Sequence, residues 1–172
     1  MNVNIALLTV TDTRTFDNDK SGAILVEKIK EANHNLIDRK ICKDNKEDIV
    51  LILKEWINKK DIDVIITTGG TGLTGRDITP EVMKTLFEKS IDGFGEMFRW
   101  LSYSKIGTSA LQSRALAGVT NGTYIFCLPG SPSACKDGWD DILDSVLPES
   151  IAKKLEIGRE VQKEKGIRKA IA

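Results

Sequence analysis

Cysteine is scarce in this chain and its spacing is uninformative. Cys42, Cys127 and Cys135 make no C-x-x-C pair, which argues against a structural zinc site or a thioredoxin-type motif. The odd count suits reduced thiols and predicts a cytoplasmic setting. Neither sign of charge is in excess. Twenty-five Lys and Arg balance 25 Asp and Glu, whereas a nucleic-acid binder usually carries a basic face or stripe. Long hydrophobic runs are missing too: Ile5 to Val10 is far too short to cross a bilayer. The first residues show no basic n-region and no small-residue cleavage site, so no signal peptide is expected. There is no internal repeat, linker or low-complexity segment. The 172 residues therefore predict a single domain over 1–172 with a substantial core and a polar tail from about residue 158.

What is present is alternation of strand and helix from the start. "VNIALLTV" (3–10) is a near-continuous apolar run, as in a parallel strand covered on both faces. A helix follows, with Ser21 placed as its N-cap. "NLIDRKIC" reads as a second strand, "EDIVLILKEWINKK" as an amphipathic helix and "DVIITT" as a third strand. Thr79 and Pro80 then look like N-cap and N1 of a helix to about Lys89. "TYIFCLPG" is another strand, followed by one or two closing helices. This order predicts a parallel sheet with helices on both faces, whose ligands bind at the carboxyl ends of the strands.

The segments at those ends hold chemistry-bearing residues. They are Thr11, Asp12, Arg14, Asp19, Ser21 and Gly22; Asp44; Thr68 to Gly72 with Gly75, Arg76 and Asp77; and Pro129, Gly130 and Ser131. Glycines let backbone amides approach an anion closely. Carboxylates beside a phosphate site imply a metal, because bare carboxylate repels phosphate, and magnesium takes one or two carboxylates plus phosphate oxygens. "GTGLTG" (70–75) is a literal G-x-G-x-x-G, but it follows the third strand and no helix opens within it, which argues against a dinucleotide fold. Read as a P-loop, it is followed by Arg76-Asp77 where Lys and then Ser or Thr are required.

Longer blocks are more specific. "TTGGTGLTGRDITPE", "GFGEMFRWLSYSKIGTSALQSRALAG" and "LPGSPSACKDGW" closely resemble the MoaB/MogA family of molybdenum cofactor biosynthesis, over roughly residues 4–147. The resemblance implies an α/β fold of three layers, α/β/α, with a mostly parallel central sheet, and a trimer or dimer of trimers. It implies a magnesium-dependent reaction in which the terminal phosphate of molybdopterin attacks the α-phosphorus of ATP. Pyrophosphate leaves, and adenylated molybdopterin is passed to a molybdotransferase. Carried onto this sequence, it makes Asp44 and Asp77 the catalytic and metal-binding acids. It places Thr11, Asp12, Ser21, Gly69, Gly70, Thr71, Gly72, Ser113, Arg114, Pro129, Gly130 and Ser131 against ATP or molybdopterin. "GRDITPE" is intact here, whereas some relatives suspected of inactivity lack that acid pattern.

Plainer readings stand beside these. Asp77 suits an Asx-turn, Asp44 a solvated acid at a helix entrance, Asp12 a loop cap and Ser113-Arg114 a salt-bridged helix surface. Arg114 or Arg76 suits a bidentate phosphate clamp. His34 reads as a helix-end or surface residue, Cys127 as inert core, and Trp56 and Trp139 as packing. Residues 93–103 suit either core or a subunit contact. The alternative function is a non-catalytic molybdopterin carrier or scaffold.

Overall fold

The computed structural model describes residues 2–160. Six strands form one sheet: β1 (Asn4–Val10), β2 (Asn35–Cys42), β3 (Val64–Thr68), β4 (Lys89–Ser90), β5 (Leu116–Thr120) and β6 (Thr123–Leu128), in the order β2-β1-β3-β6-β5-β4. The first four in that order run parallel, while β5 and β4 are antiparallel to their neighbours. The helices are α1 (Lys20–Glu31), α2 (Lys46–Ile57), α3 (Thr79–Leu86), α4 (Asp92–Ile106) and α5 (Pro132–Gly138).

The apolar runs are continuous because both faces of the central strands are covered. Ile5 and Leu7 of β1, Val64 and Ile66 of β3, and Phe126 and Leu128 of β6 pack into one core with α1, α4 and the C-terminal helical segment. The alternate residues Ala6, Leu8, Ile65, Ile125 and Cys127 pack on the other face, against α2 and α3. That is the period-two alternation of a strand. Trp139 fills the first core and Trp56 the second, where the Trp56 indole also donates to Asp38 Oδ2 at 2.9 Å. Burial pushes the Cys127 thiol up to about 12, so it is inert core.

Several local expectations change. Asp19, not Ser21, caps α1: its Oδ1 accepts the Gly22 amide at 2.9 Å, and Ser21 lies inside the helix, fully buried. Thr79 is the first residue of α3 rather than its cap, and Pro80 the second, where a missing N–H costs nothing. This helix stops at Leu86, short of Lys89, which belongs to β4. His34 is buried rather than exposed. Its Nδ1 accepts the Val3 amide at 3.3 Å, at the amino end of the sheet. The antiparallel edge comes from a tight hairpin. Asn121 and Gly122, at φ 48° and 78°, join β5 to β6 as a two-residue turn with both residues left-handed, the conformation that Asn-Gly favours.

From Pro132 to residue 160 the chain is helical throughout, with wide π turns at Trp139–Leu143 and Leu147–Ile151. Pro148, which cannot donate to the preceding turn, sits in the second of these. Residues 158–160 of the expected tail continue this helix, and Arg159 pairs with Asp63; 161–172 lie outside the described residues. No helix among the described residues is long and apolar enough to cross a membrane. Residues 93–103 divide between two roles. Phe94 and Phe98 enter the core, while Met97, Trp100 and Tyr103 are exposed, Trp100 to 74%.

Candidate functional site

Strand register brings the candidate loops to one rim. Thr9 of β1 lies opposite Thr68 of β3, Thr68 opposite Leu128 of β6, and Val10 opposite Cys42 of β2. The loops starting at Thr11, Lys43, Gly69 and Pro129 therefore leave the sheet at one level. From β1 the chain crosses to β2 on one side and then to β3 on the other, so the strand order reverses at β1, the position where open α/β sheets form a crevice.

A cleft of about 430 Å³ opens there, lined by Thr11, Asp12, Arg14, Asp44, Gly69 to Gly72, Asp77, Gly130 and Ser131. Gly69 and Gly70 have φ of 95° and 62°. Both conformations disfavour a side chain, and a Cβ on Gly70 would meet Asp44 Oδ2 at 3.0 Å. The amides of Gly70 and Thr71 donate to no backbone carbonyl among the described residues. They remain available to an anion in the cleft.

The three carboxylates differ in setting. Asp77 accepts the Thr74 hydroxyl at 2.5 Å and the Thr74 amide at 3.1 Å. The Thr74 hydroxyl is the chief cause holding its carboxyl below the ordinary value. Asp12 Oδ1 accepts the Asp44 amide at 3.3 Å, and its Oδ2 pairs with Arg76. Asp44 stands at the entrance of α2 and is half-buried rather than fully solvated. Asn45 caps α2, and Asp44 Oδ1 is buried without a hydrogen-bond partner among the described residues. Burial pushes the Asp44 carboxyl up, opposed by the Ile78 N–H and reinforced by the charges of Asp77 and Asp12. The Thr79 hydroxyl is likewise buried and unpartnered. It crowds the same face of Gly70 as Asp44.

Two orphaned oxygens converging on one glycine are the kind of donor set a hard cation completes. Among the described residues no three His, Cys, Asp or Glu groups form a ready metal cage. A magnesium ion held by Asp44 would therefore draw further ligands from phosphate or water, which is its usual habit.

The remaining candidates fall around this cleft. Ser21 lies behind it, donating to Gly130 O at 2.7 Å, and Arg14 donates to both Ser21 Oγ and Gly130 O at 3.1 Å. Ser113, Arg114 and Pro129 line a second cleft of about 340 Å³, which shares Thr71, Gly72 and Ser131 with the first. Arg114 is neither a helix-surface residue nor a free clamp. It follows the 3-10 turn Gly107–Gln112, donates to Thr71 O at 3.1 Å and Asp77 O at 2.7 Å, and pairs with Glu81. It ties the glycine loop to the Asp77 turn.

Sequence reading did not pick out Thr79 as a site group, nor Phe98, Ser102, Lys105 and Gln112 of the second cleft. The serines and glutamine of "IGTSALQS" were the only available signal for that wall.

Residues 6–149 match the family model described as "Probable molybdopterin binding domain". The chain is 47% identical over 139 residues to Molybdenum cofactor biosynthesis protein B of Escherichia coli K12, covering 81% of this chain and 82% of that one. A crystal structure of a Molybdenum cofactor biosynthesis protein B superposes with a TM-score of 0.87 at 40% identity, over 91% of this chain and 97% of that one. The tungsten cofactor synthesizing protein MoaB of Pyrococcus furiosus gives 0.77 at 37% identity, over 85% and 93%.

Proposed function

The chain belongs to the family built on the molybdopterin-binding domain, and on that premise we propose that it works in molybdenum cofactor biosynthesis as a molybdopterin adenylyltransferase. The observation that carries this reading is the meeting of two clefts at Thr71, Gly72 and Ser131. One is acidic and holds the unpartnered Asp44 oxygen. The other adds Phe98 and Ile106 to a set of hydroxyls, a surface suited to a flat polar ring system. Two substrates lying in these clefts present their phosphates to each other at the glycine loop.

In the reaction an oxygen of the molybdopterin phosphate bonds to the α-phosphorus of ATP, and the bond from that phosphorus to pyrophosphate breaks. The nucleophile is already ionised at neutral pH, so no general base is needed. His34, the chain's one histidine, lies at the far end of the sheet. Magnesium, when bound, supplies charge neutralisation on the phosphates. Asp44 and Asp77 would hold it, while the Gly70 and Thr71 amides bind phosphate oxygens and Arg114 keeps the two loops in register.

The exposed Met97, Trp100 and Tyr103 face of α4, with Leu111 beyond it, is the surface on which further copies of the chain assemble into a trimer or dimer of trimers. The protein acts in the cytoplasm, where its three free thiols persist, and its product passes to a molybdotransferase.

The test is pyrophosphate release from ATP and magnesium, with and without molybdopterin, for wild type and Asp77→Ala. Release that requires molybdopterin and collapses in the variant supports the transferase. Tight pterin binding by both proteins without release leaves a carrier.

A further inference from the structure

Three arginines stand in or beside the acidic cleft, Arg14 in its lining and Arg76 and Arg114 bonded to residues of its loops, and two of them are held by backbone carbonyls. Arg14 is fixed by Ser21 Oγ and Gly130 O. Arg114 is fixed by two backbone carbonyls and Glu81. Arg76 differs from both. Its side chain is 76% exposed, and among the described residues its partner is Asp12 Oδ2 at 2.6 Å. The pair bridges the rim, from the loop after β1 to the turn after β3. Exposed ion pairs are weak, and guanidinium forms stronger, bidentate bonds to phosphate. The space around the turn is open: Leu73 is exposed, and nothing lies within 4 Å of a Cβ built on Gly75, so the Arg76 side chain can swing without displacing the Thr74–Asp77 bonds.

We infer that the Asp12–Arg76 pair is a latch, and that Arg76 exchanges Asp12 for the β- and γ-phosphate oxygens of ATP when the nucleotide enters; this rests on the adenylyl-transfer reading above. The cleft already holds Asp12, Asp44 and Asp77, so an incoming triphosphate needs a cation besides the metal. Arg76 is the one whose present partner is cheap to leave. Its position at the solvent-facing rim suits the departing pyrophosphate rather than the α-phosphorus. Asp12 stays in place after the exchange, because its Oδ1 still accepts the Asp44 amide.

Isothermal titration with ATP, AMP and pyrophosphate, each with magnesium, tests the exchange. Arg76→Ala weakens ATP and pyrophosphate by about tenfold or more and leaves AMP within about twofold, the signature of a lost charge-assisted contact to the outer phosphates. Asp12→Asn keeps the acceptor for the Asp44 amide but removes the competitor, so it tightens ATP a few-fold. Equal loss of ATP and AMP in Arg76→Ala, or no loss, overturns the latch while the transferase reading stands. Weakened ATP binding in Asp12→Asn, with Arg76→Ala unaffected, assigns Asp12 to the metal and overturns it too. Failure of the wild type to bind any of the three probes removes the transferase reading itself, and the latch with it.

Discussion

Replacing Asp44 by Asn should make the protein more stable and less functional at once. Asp44 has one oxygen buried without a partner, crowded by Thr79 over Gly70. Its carboxyl is pushed up chiefly by burial, with Asp77 and Asp12 adding. A group whose folded pKa lies above its unfolded value costs stability once the pH exceeds both, and the cost fades as the pH falls back through the folded pKa. An unsatisfied buried polar group costs about 1–3 kcal/mol, and more when charged. Removing the charge but keeping the shape should therefore return about 1 kcal/mol at pH 7.5, which for a chain of this size is roughly 2–4 °C in Tm. The assay is thermal and urea unfolding in EDTA, repeated at pH 4, where the difference between the two proteins should shrink. Magnesium and ATP at about a hundred times their Kd should raise the wild-type Tm by roughly 5–11 °C and the variant's by much less. A variant that unfolds well below wild type in EDTA, with a gap that does not close in acid, would refute the reasoning. The carboxylate would then be a structural partner rather than a group kept unsatisfied for a ligand.

Two further outcomes follow from local geometry. A Cβ at Gly72 would lie 2.6 Å from Asp77 Oδ2, while one at Gly75 meets nothing within 4 Å; so Gly72→Ala should displace Asp77 and cut turnover at little cost in stability, whereas Gly75→Ala should be neutral or stabilising by up to about 1 kcal/mol, read from steady-state kinetics and urea titration. Burial lowers the His34 pKa, and its Nδ1 accepts the Val3 amide; the folded state therefore favours the neutral ring, and stability should fall as pH drops from about 6.5 toward the lowered folded value, a slope that His34→Gln should flatten in urea titrations at pH 7.5 and 5.5.

The family resemblance and the strand runs were legible because they are local. Ile5 to Leu8 and Val64 to Ile66 are apolar on consecutive residues, as suits a short strand covered on both faces. The β5–β6 hairpin was not read from the sequence: Asn121-Gly122 marks its turn, but β5 (Leu116–Thr120) and the edge strand β4 (Lys89–Ser90) are too short and mixed to stand out as strands alone. Ser21 and Thr79 looked like caps because serine and threonine favour that place. Their actual positions were set by Gly130, 109 residues away, and by the packing of Gly70 against Asp44.

By itself the sequence determined an alternating chain whose polar loops all gather at the carboxyl ends of parallel strands, since apolar period and turn chemistry act between near neighbours. Tertiary structure alone decided which of three similar aspartates has an oxygen buried without a partner, and which of three similar arginines is held by carbonyls and which stands at the rim. Those differences arise from contacts such as Arg114 with Thr71, or Arg76 with Asp12, between residues 43 and 64 positions apart. Desolvation and partner geometry, not residue type, set what a charged group can do, and both come into being only when the loops meet.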